Sequence, residues 1–146
     1  MTTIQLHANT TATPEQFVDG LTDFGPGRNA LFGNSADKDL VVHDQGIDHA
    51  EVTEGSGGVW ERLTYDWSDP RYVVLTTTDS NAWGGKSGHT YRLTPRADGT
   101  TDVDYTVVRE GKNLRGRIFA ALFATAGKGV LVKAFQNSVR AIEKRH

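Results

Sequence analysis

Cysteine is absent from this chain of 146 residues, methionine occurs once and proline four times. Without cysteine there is no disulfide, no thiolate metal site and no cysteine nucleophile, although its absence does not settle the compartment. Long hydrophobic runs are missing too. The most apolar stretch, 118–126, falls far short of the ~20 residues that span a bilayer. Residues 1–13 contain no basic segment followed by an apolar run, so a signal peptide is not expected and a cytoplasmic location is. A surplus of positive charge is also lacking. Sixteen Lys and Arg stand against 18 Asp and Glu, a net charge of −2, which gives no overall pull toward nucleic acid.

The charge that is present is unevenly placed. From Lys112 onward there are eight basic residues (Lys112, Arg115, Arg117, Lys128, Lys133, Arg140, Lys144, Arg145) against one acid, Glu143. This pattern fits the solvated side of an amphipathic helix packed on an acidic sheet. It also fits a basic face for a phosphate, a membrane or RNA.

Periodicity divides the chain. Residues 2–8 alternate, with Ile4 and Leu6 on one face, as in a half-buried strand. Thr13-Pro14-Glu15-Gln16 is a helix start, with Thr13 as N-cap, Pro14 at the first position and Gln16 at the third. Phe17, Val18, Leu21 and Phe24 supply its apolar side, Gly25-Pro26-Gly27 stops it, and a second helical turn is expected over 28–32. From Lys38 to Arg109 the period becomes two. Strands are expected near 39–45, 47–54, 58–67, 71–79, 86–95 and 101–110, separated by Gly, Asp and Pro turn signals. Short turns between consecutive strands favour antiparallel hairpins. Residues 113–144 read as helix. Its apolar spacing slips by about half a turn between Leu122 and Leu131, so a kink or short break is expected at Gly127-Lys128-Gly129.

Most short motifs fail on context. Ser80 to Ser87 nearly spells a phosphate-binding loop but lacks its first glycine and lies between two strands; Gly25 to Ala30 follows a helix where a dinucleotide fingerprint must follow a strand. Asn9-Thr10-Thr11 is a glycosylation sequon, relevant only to a secreted chain. There is no nucleophile elbow and no His-Glu-x-x-His. His7, His43, His49, His89 and His146 show no ligand spacing, so neither a metal nor a cofactor is expected.

The order of strand, one or two short helices, six strands and long helix resembles the START-like or Bet v 1-like superfamily. The stretch from Ala97 through Asp98-Gly99 and Val103-Asp104-Tyr105 to Arg109, leading into a basic-apolar helix, looks like its polyketide cyclase/dehydrase branch of small bacterial proteins. The resemblance spans nearly the whole chain. It implies one START-like ligand-binding domain over 1–146, of α+β helix-grip class: a curved antiparallel sheet of about seven strands around the C-terminal helix. It also implies a cavity between sheet and helix, but transfers no functional residue. Members bind lipids, sterols, hormones or polyketides, and a minority catalyse cyclisation or dehydration.

Strand alternation nominates the cavity wall. The more apolar face of 86–95 carries Ser87, His89, Tyr91 and Leu93, and that of 101–110 carries Val103, Tyr105, Val107 and Arg109. On 58–67 the odd positions are Val59, Glu61, Leu63, Tyr65 and Trp67, but the even positions hold Trp60 and Arg62, so either face could point inward. The candidate ligand-binding set is Glu61, Tyr65, His89, Tyr91, Tyr105 and Arg109, which fits an apolar wall with a few convergent polar groups. The same residues also fit a plain core in which tyrosines bury their rings and Glu61 pairs with Arg109. Three functions remain open. The first is binding or transport of a hydrophobic small molecule such as a lipid or aromatic polyketide. The second is a cyclase or dehydratase in the same cavity, with His89 as general acid–base and Tyr91, Tyr105 or Arg109 stabilising an enolate. The third is an interaction protein that docks its basic C-terminal helix on an anionic membrane or RNA.

Overall fold

A computed structural model describes residues 1–146. Strand β1 (Thr2–Thr10) is followed by helices α1 (Pro14–Leu21) and α2 (Arg28–Leu31) and a 3-10 turn at Asp37–Asp39. Six strands come next: β2 (Val41–Gln45), β3 (His49–Ser56), β4 (Val59–Asp66), β5 (Tyr72–Ser80), β6 (Gly88–Pro95) and β7 (Thr101–Arg109). Helices α3 (Leu114–Ala124) and α4 (Lys128–Glu143) complete the chain. The seven strands form one antiparallel sheet in the order β1-β7-β6-β5-β4-β3-β2. Hairpins build it in sequence, and β1 closes it by pairing with β7 from Thr2↔Arg109 to Thr10↔Thr101.

The helix starts follow from local chemistry. Thr13 and Gln16 form a reciprocal capping box, with Gln16 N donating to Thr13 Oγ1 at 3.1 Å and Thr13 N to Gln16 Oε1 at 2.9 Å. α1 stops at Leu21, ahead of the glycines, and at its C-cap the Thr22 hydroxyl donates back to the Val18 carbonyl at 2.8 Å. Asn113 caps α3 by accepting from Gly116 N at 2.8 Å.

α3 and α4 meet at a bend of 76°, and no single helix is long and apolar enough to cross a membrane. The break falls at Thr125–Gly127, just before the expected position, and Gly129 lies within the first turn of α4. Among the bonds that hold the junction, Gly127 N donates to Leu122 O at 2.6 Å, Thr125 N to Leu122 O at 3.1 Å and Thr125 Oγ1 to Ala121 O at 2.9 Å.

A register shift between Arg62 and Leu63 against β5 gives that strand one extra residue. Bulges of this kind bend a strand and reset its alternation. Accordingly β5 buries Val73, Leu75 and Thr77, then Ser80. The core lies between the concave sheet face and α1 and α4, where Phe135, Val139 and Ile142 are buried. Close approaches of the helices need glycine. A Cβ on Gly20 would lie 2.8 Å from Ile142 Cγ1, and one on Gly116 would lie 2.0 Å from the Ala82 carbonyl oxygen, where α3 meets the β5–β6 loop.

Candidate functional site

β4 turns its odd positions inward. Glu61, Leu63 and Tyr65 are buried while Trp60 is 38% exposed, which decides the orientation that alternation left open. β6 buries His89, Tyr91 and Leu93, and β7 buries Val103, Tyr105, Val107 and Arg109. The register sets His89 opposite Val107 and Tyr91 opposite Tyr105, so Tyr105 and Arg109 lie on the two diagonals from His89.

Four of the six nominated residues therefore meet. Arg109 grips the Glu61 carboxylate with both ends of its guanidinium, Nη1 to Oε2 at 2.9 Å and Nη2 to Oε1 at 3.1 Å. Thr77, brought to this face by the β5 alternation, donates to Glu61 Oε2 at 2.9 Å. His89 Nε2 is 3.2 Å from Arg109 Nη2 and 3.4 Å from Glu61 Oε1, and its Nδ1 is 2.6 Å from the Tyr105 hydroxyl. The indole of Trp83 lies under Arg109, 4.9 Å from the guanidinium carbon.

Burial alone would raise the Glu61 carboxyl, but the Arg109 cation, then His89, outweigh it and hold the group well below its ordinary range. Burial pushes the His89 imidazole down, and Arg109 pushes it further, against the pull of Glu61. His89 is therefore neutral at pH 7. Nε2 has the Arg109 donor at 3.2 Å and the Glu61 acceptor at 3.4 Å; because arginine can only donate, the shorter contact favours the tautomer protonated at Nδ1. That proton goes to the Tyr105 oxygen, which leaves the Tyr105 hydroxyl proton free for another acceptor. Burial keeps Tyr105 and Tyr91 protonated by raising both phenols. Tyr91 stacks on Tyr105 with ring centroids 4.6 Å apart, and its hydroxyl approaches that of Tyr105 without a hydrogen bond of ordinary geometry.

Tyr65 belongs to a second polar group. Arg28 Nε donates to Glu54 Oε1 at 2.7 Å, Nη1 to the Asp23 carbonyl at 2.7 Å and Nη2 to the Tyr65 hydroxyl at 3.1 Å; Tyr65 in turn donates to Glu54 Oε2. The Phe24 and Phe32 rings each lie 4.7 Å from the Arg28 guanidinium carbon. Glu61 and Tyr65 are four residues apart on one strand, so the two polar groups stand about 13 Å apart along β4. Leu63 and Leu75 line the wall between them.

All six residues border a cavity of about 390 Å³ between the sheet and α3. An adjoining cavity of about 320 Å³ runs beneath α4 and shares His89, Tyr91, Tyr105 and Arg109 with it. Phe119, Leu122 and Phe123 roof the first, and Val130, Leu131 and Phe135 the second. The walls are mainly apolar, with donors from Arg109 and the phenols of Tyr91 and Tyr105, which suits an apolar ligand carrying an oxygen acceptor. No cluster of three or more metal-ligating side chains is present.

Alternation passed over Arg28, Glu54, Thr77 and Trp83. Glu54 had a usable signal, since Ala50, Val52 and Glu54 form the inward face of β3. Arg28 had none, because its partners come from strands 26 and 37 residues away.

No protein-family model matches the sequence, and no curated protein matches it. Solved structures do. A protein of Thermus thermophilus superposes with a TM-score of 0.70 at 15% identity, covering 98% of this chain and 95% of that one. A START superfamily protein from Mycobacterium smegmatis gives 0.67 at 12% identity, with 98% and 95% covered. The Zhui aromatase/cyclase from Streptomyces sp. R1128 gives 0.66 at 10% identity, with 98% and 92% covered. Together with the seven-stranded sheet curved around its C-terminal helices, these likenesses show that the chain has the START-like helix-grip fold.

Proposed function

We propose that this protein binds a hydrophobic small molecule, of the lipid or aromatic polyketide class, in the cavity between its sheet and C-terminal helices. The observation that carries this reading is the pair of adjoining cavities, about 390 and 320 Å³, walled by Leu, Phe and Tyr side chains with the phenols of Tyr91 and Tyr105 at their common boundary. Aromatic faces suit a flat ligand, and the two hydroxyls with Arg109 suit a carbonyl or hydroxyl on it. Binding without turnover also fits the engagement of both His89 nitrogens, which leaves no free base facing the ligand. A cyclase or dehydratase function draws support from one feature, the Tyr105 hydroxyl, a proton donor coupled through His89 to Arg109 and Glu61.

Native mass spectrometry of the purified protein, together with titration by 1-anilinonaphthalene-8-sulfonate, tests the binding reading. A co-purified species or saturable probe fluorescence is expected. Tyr91→Phe should weaken a bound phenol or ketone several-fold and leave thermal stability unchanged. Ala134→Trp, placed at the exposed rim of the second cavity, should reduce probe capacity. Absence of both a co-purified species and saturable probe binding would overturn it.

A further inference from the structure

α3 is apolar around nearly its whole circumference, yet it buries only Gly116 and Ala120 fully. Its inner side sets Phe119 and Phe123 against Trp83, with ring centroids 6.4 and 5.8 Å away. On the outer side, Leu114 is 74% exposed, Ile118 52% and Leu122 48%. These three recur every four residues and form an aliphatic ridge about 12 Å long at 1.5 Å per residue. Val130, at the start of α4 beyond the bend, is a further exposed aliphatic side chain, at 72%. A helix that is apolar on both sides belongs inside something, and an exposed apolar ridge rimmed by polar residues marks an interaction surface.

The rim is cationic. At 100° per residue, Arg115 falls on one flank of the ridge and Arg117 on the other. Lys128 and Lys133 follow on α4. None of these four forms an ion pair, whereas Lys112 reaches Asp79 at 3.6 Å. No acidic residue occurs between Glu110 and Glu143. Residues 1–111 hold 17 acidic residues against eight basic ones, so the positive charge is concentrated in the C-terminal helices.

We infer that the outer face of α3, together with Val130, docks on an anionic bilayer surface, with the aliphatic ridge entering the acyl boundary and Arg115, Arg117, Lys128 and Lys133 lying among the headgroups. An apolar ridge with long cationic side chains on both flanks is the pattern of an interfacial helix. A protein interface would instead concentrate aromatics and be poor in lysine; the exposed ridge and Val130 supply four aliphatic side chains and no ring. The position adds meaning. Leu122 also lines the first cavity and Val130 the second, so docking turns both cavities toward the membrane. Docking stands without the ligand-binding reading, but its use as a route for an apolar cargo rests on that reading.

Cosedimentation with phosphatidylcholine vesicles, with and without phosphatidylglycerol, tests the surface. Binding is expected only with the anionic lipid, and it should weaken as salt approaches ~0.15 M, where the screening length is about 8 Å. Ile118→Asp should lower partitioning at least tenfold, and Arg115→Gln or Arg117→Gln about fivefold each, the size of one surface cation near anionic lipid. All three side chains are exposed, so unfolding midpoints should stay close to the parent, with Arg115→Gln losing only the stacking of its guanidinium on Phe119 at 5.4 Å. Tyr91→Phe should bind vesicles normally even while it loses small-molecule affinity, which separates failure of docking from failure of the cavity reading. Docking is overturned if there is no partitioning at low salt, if partitioning is insensitive to Ile118→Asp, or if a concentration-dependent dimer is abolished by Ile118→Asp without vesicle binding.

Discussion

Replacing Glu61 with Gln keeps the shape of the side chain and removes its charge. Arg109 stays protonated in any folded protein at neutral pH. It then has a neutral amide where it had a two-pronged carboxylate, with a neutral imidazole on its other side. Thr77 still finds an oxygen acceptor, so the loss centres on the orphaned guanidinium. Breaking a buried ion pair from one side costs about 3–5 kcal/mol, and Gln should fall near the lower end because it still accepts one bond. For a chain of this size, ~3 kcal/mol corresponds to a melting shift of about 6–12 °C. The paired variant Glu61→Gln/Arg109→Met removes both charges and should recover most of the loss, since well-packed neutral replacements of buried pairs are often close to neutral. Urea midpoints at pH 7 for the two single variants and the double measure this directly. A pH series adds a check of sign. The folded carboxyl is held below its ordinary 4.5, so its contribution is complete above about pH 4.5 and is lost as pH falls through the folded value. Parent and Glu61→Gln should therefore converge in acid. If the single variant costs under ~1 kcal/mol, or the double costs the sum of the singles, the pair is not the electrostatic unit described here.

Two further outcomes follow from the same structure. Folded His89 is held neutral by burial and Arg109, whereas the unfolded chain protonates it below its ordinary 6.5, so the unfolded state gains as pH falls below 6.5. His89→Gln should flatten the stability profile between pH 6.5 and 5.5 relative to the parent, by up to about 1.4 kcal/mol per pH unit, and equal slopes in denaturant titrations would refute this. At the helix junction, Gly129→Ala should raise stability by about 0.5–1 kcal/mol, because a Cβ there meets nothing within 4 Å. Gly127→Ala should lower it, since its Cβ would sit 3.0 Å from the Leu122 carbonyl oxygen; thermal melts that rank the two the other way would contradict the geometry.

Much of the fold was legible because hairpins and caps are local. The Thr13–Gln16 box, the six consecutive strands and the slip in apolar phase near Gly127 each depend on residues a few positions apart. The orientation of β4 was not legible. Its inward face carries Glu61 and its outward face Trp60, and a buried carboxylate beside a half-exposed indole inverts the usual sense of alternation. The Arg109 fork, with Thr77, makes an inward Glu61 tolerable, and Arg109 lies 48 residues away on another strand. The extra residue in β5, which follows Thr77 and turns Ser80 inward, leaves no mark in the period either.

The last helical segment shows a deeper limit. Leu114, Ile118 and Leu122 recur at helical spacing, as do Phe119 and Phe123, and periodicity assigns all of them to one core. The structure divides them. Phe119 and Phe123 roof the cavity, Leu114 and Ile118 turn outward and Leu122 stands at the edge between them, because Gly116 must face the Ala82 carbonyl for α3 to approach the β5–β6 loop at all. That one close contact fixes the rotation of the helix, and with it the aliphatic ridge on the outside. A sequence pattern reports that a helix has two apolar sides; the glycine that sets its roll decides which side is left for a partner.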